Sequence, residues 1–460
     1  MITLPQEIDA IQSLMQPGEQ IYLVGGAVRD ALLTKPNQDL DFVCADDPRL
    51  MGRKLAEKLS GAFYVLDDER NACRVISKNA QGRRLVFDFT QLRGQTLQDD
   101  LLERDFTINA IAVDLRKPDE IIDPLNGTKD LLGKCLRPCK STAFRDDPLR
   151  IIRAIRYSIK YGFEIEQTTI YLMNHVNDAL ALVSKERKRD ELFKIFEIEN
   201  PRDVFELFVK YDLLKHVCLN SIPDIYRAIS RLSFFTKMST YLKNEDSSES
   251  IIDLKINLFA SIFSDQRIFL QARFDQVNQS ERSIHALDNL ITLLWDLDEV
   301  EGVKISEGLA LSKEEQEQIS LSLRYKCCIL DHFASHKTPD RKFIYRYFQS
   351  LGIAGVDLAI LSLIEAAITS SSEWIEDQWK DLLLFCQRLI VTWFEHPDHV
   401  NPKLFLTGRD LMFEFDIPQG PRIGQLIDGL REEQAVGLIQ NRTQALAWVD
   451  EQIQKGFIKG

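Results

Sequence analysis

Leu23-Val24-Gly25-Gly26-Ala27-Val28-Arg29-Asp30, with Asp39-Leu40-Asp41-Phe42-Val43 close behind it, is the stretch on which the fold is read. Ile21–Val24 is a short apolar run that enters two glycines, and Val28–Leu33 continues as a helix start. Glycines at a strand-to-helix turn let backbone N–H groups approach a phosphate with no Cβ in the way. Asp39–Val43 alternates acidic and apolar residues, as a half-buried strand does. Residues two apart on a strand point the same way, so Asp39 and Asp41 share a face and can chelate a divalent cation. Two magnesium ions held there would activate a hydroxyl and shield a triphosphate during in-line displacement. The plainer reading is a tight turn followed by a solvated acidic strand end. The closeness of the two halves weighs against it.

Working outward, Cys73–Ile76, Leu85–Phe89 and part of Ile108–Leu115 also read as strands. Up to about residue 135 the chain therefore looks like an α/β unit with a mixed sheet. From about Asp146 apolar residues recur at helical spacing. The polar stretch Lys243–Ser250 and the proline-bearing His396–Lys403 mark boundaries, and a final unit starts at Leu404.

Composition narrows the class. A chain of 460 residues, 45% hydrophobic and 28% charged, is an ordinary globular protein. A net charge of −13 argues against non-specific coating of nucleic acid but leaves room for a local basic surface. Eight cysteines without a Cys-x-x-Cys pair read as reduced thiols of a cytoplasmic protein. Met1–Gln16 is too polar for a signal peptide, and Ile353–Ile368, broken by Asp357 and Glu365, is too short for a bilayer. His332 with His336, and His396 with His399, are read as structural, since two ligands do not make a metal site.

Further along, Asp88 is an acid inside the apolar strand Leu85–Phe89, either a third catalytic carboxylate or a solvent-facing residue. In Glu103-Arg104-Asp105-Phe106-Thr107-Ile108-Asn109-Ala110, one charge of the Arg104–Asp105 pair can meet a ligand while the other braces the loop. In Asp146-Asp147-Pro148-Leu149-Arg150, Pro148 is placed as a first helical residue with Asp147 as its N-cap. Asp147, Arg150 and Arg153 then lie on adjacent parts of one surface, separate from the apolar stripe Leu149, Ile152, Ile155. Arg156 has drifted round towards a phosphate or backbone. A carboxylate accepts from an exocyclic amine while a guanidinium donates to the neighbouring ring nitrogen, so one Asp–Arg pair admits C and A and rejects U and G. A capping acid followed by solvated arginines is the alternative. Between Arg137 and Lys160 seven basic residues face two acidic ones. With Lys185, Arg187, Lys188 and Arg189 this makes a basic strip suited to a polyanion.

Taken in order, these segments resemble the class II tRNA nucleotidyltransferase (CCA-adding enzyme) and bacterial poly(A) polymerase family. Gly25–Asp30 with Asp39–Asp41 is similar to its catalytic motif. Glu103–Ala110 resembles its Arg-Arg-Asp motif, and Ile122-Asp123-Pro124 with Gly127 and Asp130-Leu131 its domain-joining segment. Asp147–Arg156 is similar to the nucleotide-reading motif and Lys185–Glu191 to the neck motif, while Gly408–Leu411 and Gly420–Gly424 look like a tail found in some members. The resemblance implies an α/β nucleotidyltransferase head (1–136), then a helical neck for base recognition (137–215), a helical body (216–395) and an RNA-binding helical tail (396–460). It implies that Asp39 and Asp41 bind Mg2+; Asp88 is the candidate for a further catalytic acid from its place in the strand alone. Gly25, Gly26, Arg29 and Arg104 would hold the nucleotide. Asp147 and Arg150 would read its base, supported by Arg153 and Arg156, and Lys185, Arg187, Lys188 and Arg189 would meet RNA. The expected partners are the tRNA 3′ end with CTP, ATP or both, and no membrane, and a monomer is expected. Two departures stand out: Glu103 replaces the usual Arg, and Thr90–Leu102 is short where CCA-adding members carry a longer flexible loop. The short loop is similar to the CC-adding branch. Poly(A) polymerase, an A-adding enzyme and a catalytically silent RNA-binding protein on the same scaffold are the alternatives.

Overall fold

The computed structural model describes residues 7–35, 37, 39–79, 82–243, 254–369 and 376–455. The chain forms two compact units, Met1–Arg187 and Lys188–Gly460. The expected break at Lys243–Ser250 falls almost wholly outside the described residues.

In the first unit seven strands form one mixed sheet: β1 (Ile21–Val24), β2 (Asp39–Cys44), β3 (Ala62–Asp67), β4 (Ala72–Lys78), β5 (Arg84–Gln91), β6 (Ala112–Asp114) and β7 (Ile121–Ile122), ordered β3-β4-β5-β2-β1-β6-β7. Only β2 and β5 pair in parallel; the other neighbours are antiparallel. The same unit holds the helices α1 (Ile8–Gln12), α2 (Gly26–Leu32), α3 (Pro48–Lys58), α4 (Leu97–Leu102), α5 (Gly127–Leu132), α6 (Ala143–Asp146) and α7 (Arg150–Tyr161).

Alternation along the strands assigns each side chain its face. Ile21 and Leu23, Leu40 and Phe42, Cys73 and Val75, and Phe87 and Phe89 pack with Ala27, Val28, Met51 and Leu55 of α2 and α3 into one dry core. Phe42 stacks on Phe89 at 4.9 Å. The intervening residues go to the other face, where Val24, Val43 and Ala112 pack with Leu101 of α4. Parity therefore sends Arg74, Asp88, Asp39 and Asp41 to this second face. The parallel register sets Asp41 opposite Asp88, and the β4–β5 ladder sets Asp88 opposite Arg74.

Strand β3 was absent from the sequence reading. Its run Ala-Phe-Tyr-Val-Leu-Asp does not alternate, because it lies at the sheet edge with Tyr64, Val65 and Leu66 all exposed. The regular hydrogen bonding of α7 starts at Arg150, two residues beyond the expected Pro148, because Asp147–Leu149 form a turn. Asp147 still acts in a cap-like way, its Oδ1 accepting the Leu149 N–H at 3.3 Å.

The second unit is helical. Its long apolar helix Ala354–Thr369 carries the two acids noted in the sequence, and each has a basic partner: Asp357 pairs with Arg273 and Glu365 with Arg231. Among the described residues no single helix is long and apolar enough to cross a membrane; Arg341–Leu351 and Ala354–Thr369 pass only as a pair bent by 108°. The last helices, Gly408–Phe415, Pro421–Val436 and Arg442–Gln454, close over Leu406, Leu411, Leu430 and Val449.

Candidate active site

Gly25 ends β1 and caps α2 with φ of 70°, a left-handed conformation that favours glycine. A Cβ at this position would lie 3.0 Å from Arg104 Nη1 and 3.6 Å from Asp41 Oδ2. The turn, Arg104 and Asp41 thus converge on one point. Arg104 is aimed there by Asp100, whose Oδ2 accepts from its Nη2 at 3.0 Å.

Asp41 is pushed up to about 6, chiefly by its removal from solvent; Arg104 pulls it down, and Asp88 and Asp39 push it up. Asp88 stands beside Asp41, but both of its oxygens are taken by Arg74, at 2.8 Å each. Asp88, the expected third carboxylate, is thus brought next to Asp41 and paired with Arg74. The site offers Asp39 and Asp41 as hard oxygen donors. Among the described residues no group of three or more His, Cys, Asp or Glu is placed to hold a metal. Two carboxylates completed by substrate phosphates and water is nonetheless a donor set that suits Mg2+.

Arg29, expected at the nucleotide, is only 4% exposed. Its Nε donates to Asp30 at 2.8 Å and its Nη1 to Asn109 Oδ1 at 2.6 Å, while its guanidinium lies over the Tyr161 ring at 4.4 Å. The string continues: Asn109 Nδ2 donates to Asp105 Oδ1 at 2.9 Å, and Arg153 Nη2 donates to Asp105 Oδ2 at 2.6 Å and to the Tyr157 hydroxyl at 3.1 Å. Burial pushes the Asp105 carboxyl up, but Arg153 and the hydrogen bonds from Asn109, Arg153 and the Phe106 N–H outweigh it and hold it at about 2. Arg29 and Arg153 are thus drawn into a string joining α2 to α7. Asp105 was expected, in its pair with Arg104, to meet a ligand or brace the loop; Asp30, Asn109, Tyr157 and Tyr161 were missed in the sequence. The signal was there for two of them, since Arg153, Tyr157 and Tyr161 stand at four-residue steps on one helix face.

Asp147 and Arg150 lie where the chain enters α7. Arg150 donates to the carbonyls of Glu103 (2.7 Å) and Arg104 (3.1 Å), so the base-reading candidate is aimed by the turn that carries Arg104. Arg187 donates to Asp147 Oδ2 at 2.8 Å. Arg156 is 5% exposed, with its guanidinium 4.5 Å from the centre of the Tyr157 ring. Of the four basic residues expected at RNA, Arg187 is engaged by Asp147. Arg189 is held by Asp190 and the Ala310 carbonyl. Lys185 and Lys188 have no ion-pair partner among the described residues.

Residues 21–137 match the family described as "Poly A polymerase head domain", and residues 162–225 that described as "Probable RNA and SrmB- binding site of polymerase A". A protein of Geobacter sulfurreducens named "CC-adding tRNA nucleotidyltransferase" is 32% identical over 430 residues, covering 92% of this chain and 90% of that one. The chain belongs to the tRNA nucleotidyltransferase family. A second member of the tRNA nucleotidyltransferase family, from Synechocystis and again named "CC-adding tRNA nucleotidyltransferase", is 26% identical over 461 residues, 97% of both chains. A solved CCA-adding enzyme in its apo form shares the fold, with a TM-score of 0.66 at 21% identity over 98% of this chain and 94% of the other. Membership makes the chain a transferase, and the family generally works with divalent metals.

Proposed function

We propose that this chain extends the 3′ end of tRNA without a nucleic-acid template, adding two cytidines from CTP and then stopping. The observation that carries the transfer reaction is the convergence of the Gly25 turn, Arg104 and Asp41 on one point of the sheet face. Asp39 and Asp41 hold Mg2+ in this reading, and the metal when bound supplies charge neutralisation on the triphosphate and a more acidic hydroxyl. The N–H groups of the glycine turn and the Arg104 guanidinium take the phosphates. Arg29 positions that turn from beneath. Asp147 accepts from the cytosine amine, Arg150 donates to the ring nitrogen, and Arg187 steadies the Asp147 carboxylate.

The stop after two cytidines is supported by the segment before Arg104. Where a flexible lever would sit, Thr96 and Asp99 form a capping box and Asp99 Oδ2 also accepts the Gln95 N–H at 3.1 Å. Asp100, 1% exposed, receives the Arg93 N–H at 3.2 Å and holds Arg104. A segment fastened at both ends is a poor switch between two nucleotides. Extension of tRNA transcripts ending before, between and after the two cytidines, each given CTP, ATP or both, should show addition up to the second cytidine and no use of ATP. Completed CCA would overturn the stop, and long A tails would make the chain a poly(A) polymerase. No incorporation would leave an RNA-binding protein on this scaffold.

The four-part head, neck, body and tail division and a cytoplasmic setting belong to the same reading, the latter in keeping with eight free cysteines. The tail takes RNA through a groove of about 610 Å³ lined by Gly408, Arg409, Met412, Gly420 and Gly424. Phe413, one turn from Arg409, is 91% exposed, and neither Arg409 nor Arg422 has an ion-pair partner among the described residues. Free guanidinium groups beside an exposed ring suit a phosphate backbone with an accessible base. Combined Arg409→Ala and Arg422→Ala should weaken tRNA binding about tenfold and lower the salt slope by about two, with turnover at saturating tRNA unchanged. An unaltered affinity would remove the tail from the RNA path.

A further inference from the structure

Residues 105–107 run antiparallel to residues 137–139: the Thr107 N–H donates to the Arg137 carbonyl at 3.0 Å and the Cys139 N–H to the Asp105 carbonyl at 3.2 Å, with Phe106 and Pro138 bridged between them. Lys140 comes next. Its Nζ donates to Glu103 Oε1 at 2.6 Å and lies 2.9 Å from Oδ2 of Asp146, which also accepts from Thr142 Oγ1 at 2.9 Å. Asp146 immediately precedes Asp147, and Glu103 is the residue whose carbonyl receives Arg150 Nη2. One ammonium therefore ties together the two chain positions that aim the base-reading pair. This also gives Glu103, the departure from the family's usual Arg, a definite partner.

We propose that Lys140 is a positioning residue for base selection, holding Glu103 and Asp146 so that Asp147 and Arg150 meet the same nucleobase edge together. The inference rests on the function proposed above and goes beyond it, by making selectivity depend on a side chain outside the pair. Discrimination between C and U needs a carboxylate and a guanidinium in register with an amine and its neighbouring ring nitrogen, so a small loss of alignment costs selectivity first. The chemistry at Asp39 and Asp41 does not pass through Lys140. Partly exposed ion pairs of this kind add little to folding, so a variant should fold normally. The Glu103 hydrogen bond, and then that of Asp146, push the lysine's pKa up, so the clip stays charged across the working pH range.

The experiment compares wild type, Lys140→Met and Lys140→Arg in steady-state extension of a tRNA lacking both cytidines, with CTP and with UTP. For Lys140→Met we expect KM for CTP to rise about fivefold, the CTP-to-UTP ratio of kcat/KM to fall about tenfold, and kcat with CTP to stay within twofold. Lys140→Arg, which keeps both ion pairs, should restore most of the ratio. An unchanged ratio overturns the proposal, and so does a loss confined to kcat. A lowered melting temperature shared by both variants, with the ratio intact, marks Lys140 as merely structural and overturns it too. If wild type incorporates nothing, the functional reading itself fails, and this inference with it.

Discussion

Replacing Asp41 with Asn is expected to cut nucleotide incorporation on the order of 10³-fold or more while tRNA affinity stays within twofold. The substitution keeps the shape and removes the charge. Asp41 is the carboxylate where Asp39, Asp88 and Arg104 all make themselves felt, next to the point that a Gly25 Cβ would fill. The neighbouring Asp88 has both of its oxygens on Arg74. Single-turnover extension beside a filter-binding titration separates the two quantities. Residual incorporation within tenfold of wild type would show that Asp41 is not part of the metal pair.

The second large effect is on stability and lies in the helical unit. Arg273 pairs bidentately with Asp357, at 2.6 and 2.9 Å, and both side chains are buried. Asp288 is fully buried nearby, and neither of its oxygens has a hydrogen-bond partner among the described residues. Burial, and then the charge of Asp357, push the Asp288 carboxyl well above its usual range. Removing Arg273 as Met would strand Asp357 and should cost about 3–5 kcal/mol of unfolding free energy. Asp288→Asn should do the reverse. A carboxyl whose pKa is raised in the folded state gives up its proton more readily when unfolded, so it destabilises the fold increasingly as pH rises above about 4. The melting-temperature gain of Asp288→Asn should therefore widen from pH 4 towards pH 8. A gain that is flat across that range, or a loss, would mean that Asp288 is ionised in the fold.

The parts of the site legible in the sequence were those set by local geometry. Two glycines at the end of an apolar run and two aspartates two residues apart specify a turn and a face without knowledge of any other strand. The pairing of Asp88 with Arg74 depends on register across β4 and β5, which a single strand does not carry. In the structure the Asn79 N–H donates to the Arg83 carbonyl at 2.9 Å, and the ladder sets Lys78 against Arg84 and counts down to Arg74 against Asp88. The inward turn of Arg29 depends on Asn109 and Tyr161, residues far away in the chain, so spacing alone showed only that an arginine followed the glycines. Asp288 and Asp357 each stand in the sequence as an acid within a mostly apolar helical run. Only packing shows that Asp357 has a partner and that Asp288 has no hydrogen-bond partner among the described residues.

The string from Asp30 through Arg29, Asn109 and Asp105 to Arg153 has a bearing on how such proteins are recombined. Its members come from both sides of residue 137, the last position of the polymerase head match. A chimera joined there would carry Asp30, Arg29, Asp105 and Asn109 from one parent and Arg153, Tyr157 and Tyr161 from the other. Unless both parents keep the same set, the graft leaves a buried guanidinium or carboxylate with nothing opposite it. A junction beyond Tyr161, which keeps the sheet and α7 from one parent, is therefore expected to be better tolerated than one at residue 137.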